Sequence, residues 1–157
     1  MQCKPDLTLL STTTIEGLII EKYARNLTIF RPLNKRRATV DALVDAFHEH
    51  DHAAIVGTGH ARSIIDMRIS GWPTTYSLSV FIFDNAYNTP EDMLESIALV
   101  MADGVAARMM GIMLRQFPLK LRQSSRIFFD DVTACQWLHE RDQALTPCRE
   151  PELARIN

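Results

Sequence analysis

The sequence predicts a single-domain α/β protein built on a mixed sheet of about five strands. Asp-Gly follows the apolar run 97–102, and Asp-Asp follows the apolar end of a predicted strand over 123–129; a segment with helical periodicity comes after each pair. This alternation of strand and helix is typical of a sheet with helices packed against it. With 157 residues, of which 46% are hydrophobic, the chain is long enough to bury one core.

The composition argues against several classes of protein. The net charge is −2 and the longest basic block is 35–37, so we expect no nucleic-acid partner. No apolar run reaches the roughly 18 residues of a membrane span. The N-terminus lacks the pattern of a signal peptide, and three widely spaced cysteines are typical of a reduced protein. We therefore expect a cytoplasmic protein, and no motif predicts a cofactor.

The first half of the chain predicts a hairpin, a helix and a strand. The β-branched and aromatic runs 15–23 and 26–31 predict the hairpin. Thr39 is the expected N-cap of the helix, because apolar residues follow it at i, i+3, i+4 and i+7. These residues are Val40, Leu43, Val44 and Phe47. Residues 63–68 predict a buried central strand.

Residues 74–94 are compatible with two structures. Alternation between residues 76 and 82 favours a strand, but we expect a helix over 75–87, a capped turn near 89–94 and a strand over 96–102. The alternative is one helix from Pro90 to Phe117. That helix would carry Gly104 in its middle, where glycine costs about 1 kcal/mol relative to alanine.

The last third predicts helix, strand and helix. Asp103 or Gly104 begins a Met-rich helix, and Asp130 or Asp131 caps the final helix. In the Met-rich helix we expect one set of side chains to face inward, with Met110 and Leu114 partly to the side. The inward set is Val105, Met109, Ile112, Met113 and Gln116.

The predicted element order is β-β-α-β-α-β-α-β-α. We expect residues 1–14 to form an N-terminal extension, residues 15–140 to form the domain and residues 141–157 to form a loose C-terminal tail.

Several segments resemble the STAS-like domains related to the sporulation anti-sigma factor antagonist, and in particular their small bacterial SpoIIAA-like branch. The resemblance covers residues 15–140. The matching segments are 63–68, 97–104, 107–109 and 126–131, with Ala134, Trp137 and Leu138 in the closing helix. It implies a non-enzymatic regulatory or scaffolding module that binds a protein partner or forms a homodimer.

The resemblance also implies a phosphorylation switch. Regulatory members carry a modified Ser or Thr at the start of the helix that follows the central strand, and Thr74 and Thr75 correspond to it here. The family usually has an Asp-Ser-Ser type sequence at this point, whereas Trp72 and Pro73 precede the two threonines in this chain. The alternative role for either threonine is helix capping alone.

Two kinds of binding surface follow from this prediction. The ends of parallel strands meet at one edge of a sheet, so we expect a partner or ligand surface there, extended by the Met-rich helix. Its predicted members are Asp66, Arg68, Asp103, Gly104, Arg108, Met110 and Leu114. Alternatively, a small apolar ligand occupies a pocket between helix and sheet, since some STAS-like relatives resemble lipid-binding folds.

One motif suggests a metal site. His48, Glu49 and His52 satisfy the H-E-x-x-H pattern, in which two histidines one helical turn apart bind zinc and the glutamate activates water. A zinc hydrolase is therefore the third functional hypothesis, after a partner-binding module and a protein that binds a small apolar ligand. Against it, the motif falls at the expected end of a helix, and polar residues occupy its two central positions.

Overall fold

The computed structural model describes residues 7–57, 59–71, 74–80, 90 and 93–145. Six strands form one mixed sheet in the order β1-β2-β3-β4-β5-β6. The strands are β1 (Leu9–Ile15), β2 (Leu18–Tyr23), β3 (Leu27–Pro32), β4 (His60–Asp66), β5 (Leu94–Val100) and β6 (Ser125–Phe128). The first three strands run antiparallel, and β3 to β6 run parallel. The α/β class and the mixed sheet are thus confirmed, with six strands where about five were expected.

The additional strand lies in the stretch expected to be an N-terminal extension. Residues 9–15 form β1, which pairs with β2 through the two-residue turn Glu16-Gly17. Gly17 has a φ of 79°, and a Cβ placed on it would collide with the amide nitrogen of the Asn34 side chain. Glycine suits this position, because any other residue would be strained in its backbone conformation and would also displace the Asn34 side chain.

The described residues form five helices, of which four lie between strands and the fifth follows β6. They are α1 (Arg37–Val56), α2 (residues 75–80), α3 (Val105–Leu114), α4 (Leu119–Ser124) and α5 (Asp131–Leu145). The strand over 94–100 rules out a single helix from Pro90 to Phe117. The described part of the predicted helix 75–87 is helical, while residues 81–89 lie outside the described residues, as do residues 91 and 92 of the expected turn at 89–94. The helix α5 continues into the predicted tail, and α4 was not expected.

The helices divide unequally between the two faces of the sheet. On one face, α1, α2, α3 and α4 cover a core that includes Phe30 and Phe47, whose ring centroids lie 5.3 Å apart. On the other face, α5 packs Ala134 and Leu138 against the sheet. Within the described part of the chain, no helix is both long enough and apolar enough to cross a membrane.

Two local predictions were wrong. Arg36 precedes α1 without a side-chain cap, and Thr39 lies inside the first turn, where its hydroxyl contacts Glu16 O at 2.5 Å and Asn34 Oδ1 at 2.7 Å. The helix α3 is rotated from its expected orientation, because its buried side chains are Ala107, Met110 and Leu114. Every turn of α3 is apolar, so periodicity alone could not identify the side that packs against β6.

Candidate functional site

At the ends of the parallel strands, which we call the rim, carboxylates of the sheet pair with arginines. Asp66, at the end of β4, accepts hydrogen bonds from Arg68 Nε at 2.9 Å and Arg68 Nη2 at 2.8 Å, and it also pairs with Arg31. Arg68 Nη2 reaches Asp131 at 2.7 Å. The rim therefore brings together the carboxylates of Asp66 and Asp131, and the two guanidinium groups balance their charge.

Electrostatics hold this rim in its charged form. Burial raises the pKa of the Asp66 carboxyl, but the hydrogen bonds and charge of Arg68, together with the charge of Arg31, outweigh burial and place the pKa below its ordinary value. Two other aspartates follow strands of the sheet, Asp103 and Asp130, and they differ from Asp66 in position or role. Asp103 is exposed, and Asp130 accepts a hydrogen bond from Thr133 N at 2.8 Å, as an N-cap does.

Two residues of α3 that were expected on the binding surface are buried, and other residues of this helix are exposed. Met110 and Leu114 lie in the core, with 2% and 9% of their surface exposed, so they are not surface residues. The exposed side of α3 carries Val105, Met109 and Ile112, with 72%, 53% and 61% of their surface exposed. These three follow the spacing i, i+4 and i+7, which places them on one helical face.

Basic side chains lie beside this apolar row. Arg108 and Arg115 are exposed on α3 and its C-cap, and they recur at i and i+7, so they lie on one side of the same face. Gly104, at the N-cap of α3, has a φ of 155° and supplies no side chain. We call Val105, Met109 and Ile112, with Arg108 and Arg115, the α3 face.

The H-E-x-x-H residues do not converge on a metal site. All three lie on α1, where Glu49 and His52 are exposed and the Glu49 carboxylate accepts a hydrogen bond from Lys22 Nζ at 3.1 Å. Within the described ranges, no group of three His, Cys, Asp or Glu side chains is arranged to hold a metal ion. His48 and His52 thus supply at most two ligands near this helix.

Instead, the histidine at the centre of the motif is the buried one. His50 Nδ1 lies 3.0 Å from Thr28 Oγ1, and Nε2 lies 3.1 Å from the Arg62 carbonyl. Since a carbonyl can only accept, Nε2 donates to it and Nδ1 accepts from the threonine hydroxyl. Burial lowers the pKa of His50 to about 4, against the opposing effect of the Arg62 carbonyl, so the ring is neutral near pH 7.

A second buried histidine takes part in a Ser-His-Asp arrangement that sequence reasoning missed. His60 Nε2 lies 3.0 Å from Ser96 Oγ, and His60 Nδ1 lies 3.1 Å from Asp142 Oδ1. The order resembles nucleophile, base and acid. However, Ser96 has 0% of its surface exposed, and its Oγ also accepts a hydrogen bond from Arg141 Nε at 3.2 Å. The observed geometry ties α5 to β4 and β5 and leaves the hydroxyl without access to a substrate.

Sequence spacing gave no indication of this cluster. His60 begins β4, Ser96 lies within β5, and Asp142 falls in the stretch expected to be a tail. Only the pairing of β4 with β5 and the docking of α5 bring the three together.

An apolar cavity lies between the helices and the sheet on the α1 side. Its volume is about 60 Å³. Side chains of α1, α2, α3 and α4 surround it, among them Val44, Leu78, Met110 and Leu121. Ser125 also lines the cavity, and its Oγ is buried with no hydrogen-bond partner in the described part of the structure. The cavity thus combines apolar walls with one unsatisfied hydroxyl.

The two phosphorylation candidates lie at the start of α2. Thr74 Oγ1 accepts a hydrogen bond from Ser77 N at 3.2 Å, so Thr74 caps this helix, and Thr75 is exposed. Thr74 lines a small cleft together with Asn34 and Lys35. Lys35 and the capping residue therefore line the same cleft.

No protein-family model, curated protein or solved structure matches this chain.

Proposed function

We propose that this protein is a non-enzymatic, STAS-like regulatory or scaffolding module that binds a protein partner through the α3 face. The exposed row of Val105, Met109 and Ile112 carries the proposal. Their apolar side chains form a continuous row, whereas scattered single hydrophobic residues are normal on a surface. An apolar row at helical spacing is also the surface that an amphipathic helix of another protein recognises.

The charges beside this row select the partner. Arg108 and Arg115 are exposed along one side of it. An amphipathic helix with acidic residues beside its apolar face complements both features, because opposite charges guide association and fix the register. The partner is therefore an acidic amphipathic segment.

Binding of designed peptides tests this assignment. The probes are fluorescent peptides with leucines at i, i+3, i+4 and i+7, in several registers, with glutamates at the other positions. Fluorescence anisotropy should detect binding that weakens as salt is raised. We expect Ile112→Glu to weaken it by about tenfold or more, because the substitution places a carboxylate in an apolar contact.

Two controls make the result specific. Val56→Glu replaces another exposed apolar residue, on α1, and should bind like the unsubstituted protein. Peptides with lysine in place of glutamate should bind more weakly. If no acidic peptide binds, or if Ile112→Glu binds as well as the unsubstituted protein, the α3 face is not the docking surface.

Phosphorylation at Thr74 or Thr75 is part of the same proposal. A phosphate at a helix N-terminus is favoured by the free N–H groups there, and Lys35, a cationic residue, lines the same cleft as Thr74. Mass spectrometry of the native chain from growing and starved cells should find the modification on one of the two threonines. If the native chain carries no phosphate in either state, the switch is absent and the docking proposal still stands.

The cavity supports a second candidate function, the binding of a small apolar ligand with one polar group. The Ser125 hydroxyl has no hydrogen-bond partner among the described residues, which favours a ligand that carries one hydrogen-bonding group. The space of about 60 Å³ suits a short aliphatic alcohol, since a dry protein cavity of ~150 Å³ holds benzene.

An NMR titration with ethanol and with ethane-saturated buffer distinguishes this candidate, because molecules of two or three heavy atoms match the space. We expect the alcohol to shift the signals of cavity residues such as Leu78 and Met110, and Ser125→Ala to remove the preference for alcohol over alkane. The second candidate fails if neither molecule shifts these signals.

A further inference from the structure

The strand β1 forms an open edge of the sheet and is exposed along its whole length. All seven residues from Leu9 to Ile15 are exposed, and β1 pairs only with β2 in the described sheet. It contains no charged residue and no proline, two features that natural proteins use to keep edge strands apart. A register shift between Leu9 and Ser11 disturbs one end and leaves residues 11–15 regular.

The hairpin determines which backbone groups of β1 are free. Glu16 and Gly17 both have positive φ, as a two-residue type I′ turn requires, so Ile15 and Leu18 form the closing hydrogen-bonded pair. Hydrogen-bonded and non-hydrogen-bonded pairs then alternate along the hairpin. The N–H and C=O groups of Thr12 and Thr14 therefore point away from β2, towards the open edge.

We propose that β1 pairs with β1 of a second copy of this chain and forms a twofold dimer with a continuous sheet. In the antiparallel register centred on Thr13, Thr12 of one copy lies opposite Thr14 of the other. The outward N–H and C=O groups of these two residues then satisfy each other. Ser11 lies opposite Ile15, and the two Thr13 residues face each other on the twofold axis, so no like charges meet.

A second copy fits this edge better than other segments of the chain. Residues 146–157 contain two prolines and four charged residues, which disfavour a strand. The opposite edge strand, β6, has four residues and carries the exposed Arg126, so a β1-to-β6 contact would be shorter. It would also continue into filaments instead of closing as a dimer.

Sedimentation velocity over a concentration series tests the dimer. Because a five-residue edge is a small interface, we expect monomers near about 1 µM and dimers towards about 500 µM. Thr13→Lys should weaken dimerisation by about tenfold or more, since it places two ammonium groups opposite each other. Gln123→Lys adds the same charge at an exposed site on α4 and should leave dimerisation unchanged.

Crosslinking tests the register. In a background with serine at positions 3, 135 and 148, or alanine at 135 if folding requires it, Thr13→Cys should form a disulfide dimer on oxidation. Thr12→Cys should not, because its mate lies two residues away along the partner strand.

Monomers throughout the series, or a dimer unaffected by Thr13→Lys, would overturn the proposal, and filaments would indicate pairing with β6. Stronger crosslinking at residue 12 would contradict the Thr13 register. Ile112→Glu should leave dimerisation intact, so this proposal and the α3 docking proposal fail independently.

Discussion

At the residue scale, the charged and polar side chains of this protein act mainly as fixed structural pairs. Asp66, which sequence analysis placed on a binding surface, is 4% exposed and lies between Arg31 and Arg68. His50, inside the zinc-like motif, is neutral and bonded on both ring nitrogens. Sequence spacing indicated Asp66 and gave no role to His50, because the role of each depends on partners contributed by other strands.

Asp66→Asn should destabilise the protein by about 2 kcal/mol, because it removes the charge that two partly buried arginines share. Urea denaturation measures the change. Asp131→Asn is the matched control, since it also contacts Arg68 but is more exposed, and it should cost less than about 1 kcal/mol. Equal losses for the two variants would mean that burial does not matter at this rim.

The lowered pKa of Asp66 also gives a pH dependence. A carboxyl whose pKa is lower in the folded than in the unfolded state stabilises the fold above the unfolded value. That contribution is lost as the pH falls through the folded value, below about 4.

His50 should make stability depend on pH in a different range. Its pKa of about 4 in the folded protein lies below the unfolded value of 6.5, so the unfolded chain binds more protons between these values. The free energy of unfolding should therefore fall as the pH drops from about 6.5 to about 4, by at most about 3 kcal/mol.

Urea denaturation at a series of pH values measures this slope, and His50→Gln should reduce it. The control His52→Gln alters an exposed histidine on the same helix and should retain the slope. If His50→Gln leaves the slope unchanged, His50 is not the group responsible.

At the element scale, two glycines show how context sets the effect of one substitution. Gly17 occupies a turn with positive φ against Asn34, whereas Gly111 lies within α3, where a Cβ would meet Ile127 Cδ1 at 3.9 Å, an ordinary contact. The same alanine substitution therefore meets strain in the hairpin and an ordinary van der Waals contact in the helix.

Gly17→Ala should destabilise the protein by more than about 1 kcal/mol, because it forces a left-handed backbone and a collision. Gly111→Ala should stabilise it by up to about 1 kcal/mol, since alanine is the better helix former. Thermal unfolding of the two variants should give shifts of opposite sign, and shifts of the same sign would refute this assignment.

At the scale of the whole molecule, the two faces of the sheet are covered very differently. Four helices cover one face, and α5 is the described helix on the other. The end of α5 is tied down by Asp142, which contacts His60 at 3.1 Å and Arg62 at 3.5 Å. This polar cluster therefore holds the end of α5 against the sheet, and its serine is not exposed as the nucleophile of an active site would be.

Asp142→Asn should loosen α5, because it removes the carboxylate that faces the nearly buried Arg62. Hydrogen exchange should become faster along α5, and the free energy of unfolding should fall by about 1–2 kcal/mol. Glu140→Gln, on the exposed side of the same helix, is the control and should change neither quantity. Unchanged exchange in Asp142→Asn would mean that apolar packing alone holds α5.

Local sequence patterns were sufficient to predict the α/β class, the hairpin, the central strands and an aspartate cap at residue 130 or 131. Those features depend on local periodicity and on turn and cap residues, which short segments carry. Local patterns did not predict β1, whose threonine-rich residues lack an alternating pattern because none of them is buried.

Only the tertiary structure decided which side of α3 packs, which histidine is buried and how His60, Ser96 and Asp142 meet. Each depends on contacts between segments far apart in the chain. Most residues of α3 are apolar, so its sequence is compatible with burial of more than one side of the helix. The same is true of the closely spaced histidines of α1. In both helices, the elements packed against them determine which side is buried.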